Sequence, residues 1–215
     1  MKKLVIWILS AALCVSLAAC AGKTPSVPAD EAPESAENAS DAVTAAYRNK
    51  VVELATASGE ALSWVELSCG TGEKILVVTK ESSLYADGAT IEADVYQYAD
   101  GEVKFIASVS STGTAYPLAY TEEAVLFGGN HTAGKLVVHD GSGELYQLVD
   151  MNIEGKTPVL ETYDAADGET TLQSSEELSP EEADLFDYYA NAFAEEKAEV
   201  IAFHTISEKI IRHNQ

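Results

Sequence analysis

The chain is poor in positive charge: 13 Lys and Arg stand against 35 Asp and Glu over 215 residues, a formal net charge of -22. Nucleic-acid binding rests on clustered cations that neutralise phosphates, so that partner class is excluded. Cysteine is equally scarce, with three residues, two of them within the first 20, and no framework of internal disulfides can hold the fold. Beyond the N-terminus no apolar run approaches the about 18 residues of a spanning helix. What is present is a composition of 47% hydrophobic and 22% charged residues, able to bury a core despite the acidity.

The one long apolar run lies at the start. Lys2 and Lys3 precede residues 4–19, which are interrupted only by Ser10 and Ser16. As a helix this run would measure about 24 Å at about 1.5 Å per residue, short of a hydrocarbon core of about 30 Å, which reads as a cleaved signal peptide rather than a permanent span. The residues that close it, Leu17-Ala18-Ala19-Cys20, resemble the lipobox of bacterial lipoproteins. That resemblance implies a diacylglycerol on the Cys20 thiol and cleavage just before it by signal peptidase II. Cys14 follows Leu13 rather than a small residue and is the poorer acceptor. The expected location is the cell membrane, lipid-anchored and facing the extracytoplasmic side, with each buried methylene contributing about 0.8 kcal/mol. Losing residues 1–19 removes two lysines and no acid, so the net charge moves from -22 to -24. Anionic headgroups repel such a surface, and the acyl chains must hold it alone. Cys69 is then left without a partner for an intrachain disulfide.

Residues 20–40 are rich in Ala, Ser, Glu and Asp, with Pro25, Pro28 and Pro33 and Val27 as the single branched apolar residue; they read as a disordered acidic tether. Residues 41–215 are expected to form a single α+β globular domain, a central antiparallel β-meander of roughly six to eight strands, in one sheet or a small curled one, flanked by an N-terminal and a C-terminal helix. Ser40 as N-cap and a stripe of Val43, Tyr47, Val51 and Leu54 predict a helix over 41–58. Short apolar runs at 62–67, 75–79, 94–98, 103–109, 125–127, 136–139, 144–151 and around 159–163 predict the strands. Asp100-Gly101 marks a hairpin. The Asp-Gly pairs beginning at 87, 100, 140 and 167 follow no fixed period, which argues against a repeat architecture. Ser179-Pro180-Glu181-Glu182 carries a capping box and opens a helix expected to reach Lys197, with Leu185, Tyr188, Tyr189, Ala192 and Phe193 on its apolar face. Residues 200–206 read as a last strand or short helix.

Chemistry-bearing motifs are few. Gly129 to Lys135 has the spacing of a phosphate-binding loop, yet Leu136 replaces the magnesium-binding hydroxyl and the following residues read as strand, so the motif is rejected. No Gly-x-Ser-x-Gly elbow occurs. His131, His139, His204 and His213 lack zinc-ligand spacing. The pairs Glu122-Glu123, Glu176-Glu177, Glu181-Glu182 and Glu195-Glu196 read as solvated surface, since adjacent carboxylates do not face one another. Residues 164–169 read as a plain turn rather than a cation loop.

The loop at 67–75, together with residues 111–117 and 128–131, resembles a loosely defined group of uncharacterised lipoproteins from Gram-positive bacteria. Many of these carry a calcium-loop-like Asp-x-Asp-Gly-Asp-Gly followed by Glu-Leu at this place. Here Leu67, Cys69 and Thr71 stand where the aspartates would be and Ile75 where the glutamate would be, so the turn is retained with a degenerate ligand set and no metal is expected. Cys69 reads as a small apolar residue. Tyr116, Tyr120, Asn130 and His131 gather around glycine-rich turns and are the candidate ligand contacts, because loops on a rigid sheet commonly carry recognition. With no catalytic set, cofactor or metal legible, the sequence points to a non-enzymatic binding or interaction module. Its expected partners are the membrane, through lipid, and an envelope protein, cell-wall polymer or small ligand. The alternative is a hydrolase of wall or nutrient polymers whose carboxylates meet only in the fold.

Overall fold

In the computed structural model, the described residues are 36–69 and 74–205. The signal segment, Cys20 and most of the expected tether therefore lie outside the described residues. None of the described helices is long and apolar enough to cross a membrane.

Helix α1 (Ala36–Ser58) is followed by strands β1 (Leu62–Ser68), β2 (Lys74–Lys80), β3 (Glu92–Ala99) and β4 (Glu102–Ser110). Then come β5 (Ala119–Tyr120), β6 (Val125–Gly128), β7 (Ala133–His139), β8 (Ser142–Val149), β9 (Val159–Ala166) and β10 (Glu169–Glu177). Helices α2 (Pro180–Leu185) and α3 (Tyr188–Ala194) and the two-residue strands β11 (Glu199–Val200) and β12 (His204–Thr205) close the described chain. The strands form two antiparallel sheets rather than one meander, ordered β12-β1-β2-β3-β4 and β10-β9-β8-β7-β6-β5-β11. The class is α+β.

The division follows from what each strand buries. In β2, Ile75 and Val77 enter a shared core with Val95, Ile106, Phe127, Leu136, Val138 and Leu145, which joins residues of both sheets. Leu76 and Val78 point the other way, onto Tyr47 and Val51 of α1. A strand covered on both faces carries a continuous apolar run, which is why Ile-Leu-Val-Val shows no alternation. On the second sheet, Ala119, Ala124 and Leu126 face Tyr189 of α3, while Ala133, Leu148 and Met151 pack on Ala183 of α2.

Tyr47 ties α1 to its sheet. The β2–β3 ladder runs from Val78–Asp94 to Ile75–Gln97. At the next step, where Lys74 would face Tyr98, the Tyr47 hydroxyl donates to the Lys74 carbonyl and accepts the Tyr98 N–H at 3.0 Å. A side chain thus stands in for one rung of the sheet.

Three Asp-Gly pairs make two-residue hairpin turns with positive φ at both residues: Asp100 (54°) and Gly101 (85°), Asp140 (48°) and Gly141 (76°), Asp167 (53°) and Gly168 (79°). This is the primed-turn geometry that matches strand twist. Two of them fasten the sheets together. The Gly141 N–H donates to the buried Gln97 side-chain carbonyl at 2.6 Å, and the Gly168 N–H donates to the Phe105 carbonyl at 3.1 Å. The fourth pair does not form a hairpin. Only Gly88 has positive φ, and Asp87 Oδ1 accepts the Ala89 N–H at 3.1 Å within a connecting loop.

Several expectations are corrected. Helix α1 begins at Ala36, so Ser40 lies inside it rather than capping it, and residues 36–40 are helical. The expected helix from Ser179 to Lys197 is two short helices. The capping box at Ser179 and Glu182 forms, but α2 ends at Leu185 and a second N-cap, Asp187, accepts the Ala190 N–H at 3.0 Å and starts a separate helix. Leu185 consequently leaves the apolar face and is 73% exposed. Strand β10 lies beyond the last strand that the sequence predicts before the Ser179 helix. All nine of its residues are exposed, and it forms an outer edge of the second sheet. In the calcium-loop-like turn, Leu67, Cys69 and Ile75 are core residues packed on the shared interior, whereas Thr71 lies outside the described residues.

Candidate functional site

An open groove of about 730 Å³ runs over the outer face of the second sheet, between α3 and the β5–β6 turn. Its size falls within the usual range of small-ligand sites, about 300–1,000 Å³. Leu126 and Lys135 contribute from neighbouring strands β6 and β7, where they are register partners. One wall is Tyr188, Asn191 and Ala192 of α3. Asn191 Nδ2 donates to the Asp184 carbonyl at 2.9 Å, fixing the angle between α2 and α3. The opposite wall is the tight turn at 121–124, where the Thr121 hydroxyl accepts the N–H groups of Glu123 (3.1 Å) and Ala124 (3.2 Å). The third side follows the end of α3, where Glu196 adopts φ +57° while the Lys197 N–H reaches back to the Ala192 carbonyl at 3.0 Å.

Lys135 is held by aromatic rings. Its Nζ lies 5.0 Å from the Tyr146 ring centroid and 4.5 Å from that of Tyr188. The two rings meet edge to face at 6.3 Å, and Phe186 packs edge-on against Tyr188 at 6.0 Å. Tyr146 donates its hydroxyl to Glu144 Oε2, and that hydrogen bond, more than burial, pushes its pKa up to about 12. Tyr120, at the far side, donates to Glu199 Oε2 at 2.9 Å, and its pKa is likewise raised. Glu122, Glu123, Glu195, Glu196 and Glu199 border the groove. Lys197, also there, is paired with Glu195 at 2.7 Å. The arrangement offers an apolar floor, aromatic faces, one ordered ammonium and a carboxylate border, which suits it to holding a small polar molecule.

The four candidate contacts do not share one place. Tyr120 lines the groove. Tyr116 and Asn130 meet elsewhere, the tyrosine hydroxyl donating to Asn130 Oδ1 at 3.2 Å while its ring packs edge-on against Tyr189. His131 Nδ1–H donates to the Met151 carbonyl at 2.8 Å, and the Met151 N–H returns to the His131 carbonyl at 3.1 Å, so this histidine clasps two loops. Sequence reasoning missed Lys135, Tyr146 and Glu199. One signal was available for Lys135: it is a lone cation inside an otherwise apolar strand.

No family model, curated protein or solved structure matches this chain.

Proposed function

We propose that this protein is a lipid-anchored extracytoplasmic binding module of the cell envelope, attached through Cys20 and recognising a small ligand or a segment of an envelope partner in the groove beside α3. The single observation that carries the binding reading is the groove itself, in which Lys135 and Tyr188 line a half-open space and the ring of Tyr146 beside it helps to order the Lys135 ammonium. Preformed sites with a few convergent polar groups are the usual form of ligand recognition. The anchoring reading is supported by the basic start, apolar run and lipobox-like close of residues 2–20.

The two parts are tested separately. Intact-mass analysis of native protein should show an acylated chain beginning at Cys20, and Cys20→Ala should move the protein out of the membrane fraction; an unmodified thiol ends the anchoring claim. A ligand screen by saturation-transfer NMR should yield binders whose signal disappears in Leu185→Asp, a substitution at an exposed lining residue that leaves the core intact. Binders indifferent to that change would place recognition elsewhere.

A further inference from the structure

The described residues include seven lysines, at positions 50, 74, 80, 104, 135, 156 and 197. Six of them pair with a carboxylate within 4 Å: Lys50 with Glu53, Lys74 with Glu66, Lys80 with Glu60, Lys104 with Asp100, Lys156 with Asp150 and Lys197 with Glu195. Lys135 is the exception among the described lysines; of the described lysines and arginines, Arg48 on α1 is the other without a carboxylate within 4 Å, and it lies away from the groove. In a chain with 35 acids and 13 bases, an ammonium left without a carboxylate is unexpected, and this one stands in the groove, positioned by two tyrosine rings.

Cation–π contact contributes about 0.5–1 kcal/mol at a partly exposed site, less than a desolvated ammonium gains from a hydrogen-bonded carboxylate. The rings therefore orient Lys135 without saturating it. The surrounding field sets a second requirement. Glu122, Glu123, Glu196 and Glu199 border the same space, so a ligand carrying only negative charge is repelled as it approaches. A molecule with a carboxylate for Lys135 and an ammonium for the border satisfies both.

Resting on the reading of the groove as a binding site, we infer that it takes a short zwitterionic peptide, with the terminal carboxylate on the Lys135 ammonium and the terminal ammonium toward the glutamate border. The mixed walls agree with this. Leu126, Leu185 and Tyr188 give apolar and aromatic contact for side chains between the two charged ends.

The test uses the full chain in detergent micelles and a tripeptide library with free termini, followed by calorimetry on its best binder, the C-terminal amide of that binder and its N-acetyl form. Amidation is expected to weaken binding at least tenfold in the wild type, and acetylation several-fold. Lys135→Gln should bind the free peptide as weakly as the wild type binds the amide, with no further loss on amidation. Lys135→Arg should keep the sensitivity to amidation, which separates lost charge from lost fold. Equal binding of free and amidated peptide, unchanged binding by Lys135→Gln, or no tripeptide binding at millimolar concentration overturns the inference. Neutral oligosaccharides that bind and are lost in Leu185→Asp would overturn it while leaving the groove a binding site. If no Leu185→Asp-sensitive ligand of any class is found, the broader reading falls as well.

Discussion

Gln97 and Gly141 meet inside the protein, the glutamine carbonyl of one sheet accepting the backbone N–H at a hairpin tip of the other at 2.6 Å. Gln97 is 0% exposed, so the pair cannot exchange its bond for water. Gln97→Met keeps the length and removes the acceptor, leaving the Gly141 N–H buried without its partner. A loss of about 2 kcal/mol is expected from the cost of an unsatisfied buried donor, read as a lower urea midpoint with an unchanged slope. Gly141→Ala should cost more. It places a Cβ 2.9 Å from both the Ala99 Cβ and the Lys104 Cδ, at φ +76°.

Tyr47→Phe removes the hydroxyl that bridges the Lys74 carbonyl and the Tyr98 N–H. The ring itself is retained. The expected destabilisation is about 2–3 kcal/mol, because a donor and an acceptor both lose a partner in a buried setting. A change below about 0.5 kcal/mol in equilibrium unfolding would show that the strands close the missing rung themselves.

Glu196 holds a left-handed conformation that glycine or asparagine usually supplies at a helix end. Glu196→Gly relieves that conformation at about 1 kcal/mol, partly offset by glycine's greater freedom in the unfolded chain. A modest gain in melting temperature is expected, and a loss would mean that the glutamate side chain is itself stabilising.

The tyrosines set an alkaline limit. Tyr146 and Tyr163 are raised to about 12 chiefly by hydrogen bonds to Glu144 and Glu161, and Tyr96 and Tyr189 chiefly by burial. A folded-state pKa above the unfolded value of about 10 contributes stability that is present below pH 10 and lost as pH rises toward 12. Near-ultraviolet titration should show a late-ionising group of tyrosines, with unfolding midpoints falling across that window. Ionisation of all ten tyrosines near pH 10 in the native state would contradict this.

The local signals were legible where chemistry is local. The capping box at Ser179 and the hairpin at Asp100-Gly101 follow from backbone conformations that few residues permit, and the stripe of Tyr47 and Val51 follows from helical spacing. What escaped depends on contacts distant in sequence. Strand β10 reads Glu-Thr-Thr-Leu-Gln-Ser-Ser-Glu-Glu, with no alternation because neither of its faces is covered. The two sheets cannot be separated by inspecting runs such as 75–78 and 125–127, since a run buried on both faces does not say which neighbour covers which face. Tyr188 is the first residue of α3, and its meeting with Lys135 of β7 and Tyr146 of β8 is set by the Asp187 cap rather than by periodicity. Asp87-Gly88 shows the converse, a hairpin signature used in a loop whose ends are fixed by Tyr85 and Phe203.

The exposed margin at Glu169–Glu177 leaves one side of a ladder available for pairing, a geometry that invites sheet-to-sheet growth between molecules. A two-fold pairing of this strand with itself centred on Gln173 would set Glu169 against Glu177, and the net charge of -22 adds repulsion between whole molecules. Colloidal behaviour should therefore be governed by ionic strength: the repulsion that keeps molecules apart in dilute buffer fades as the screening length shrinks, and concentrated protein in salt is a condition under which this margin matters.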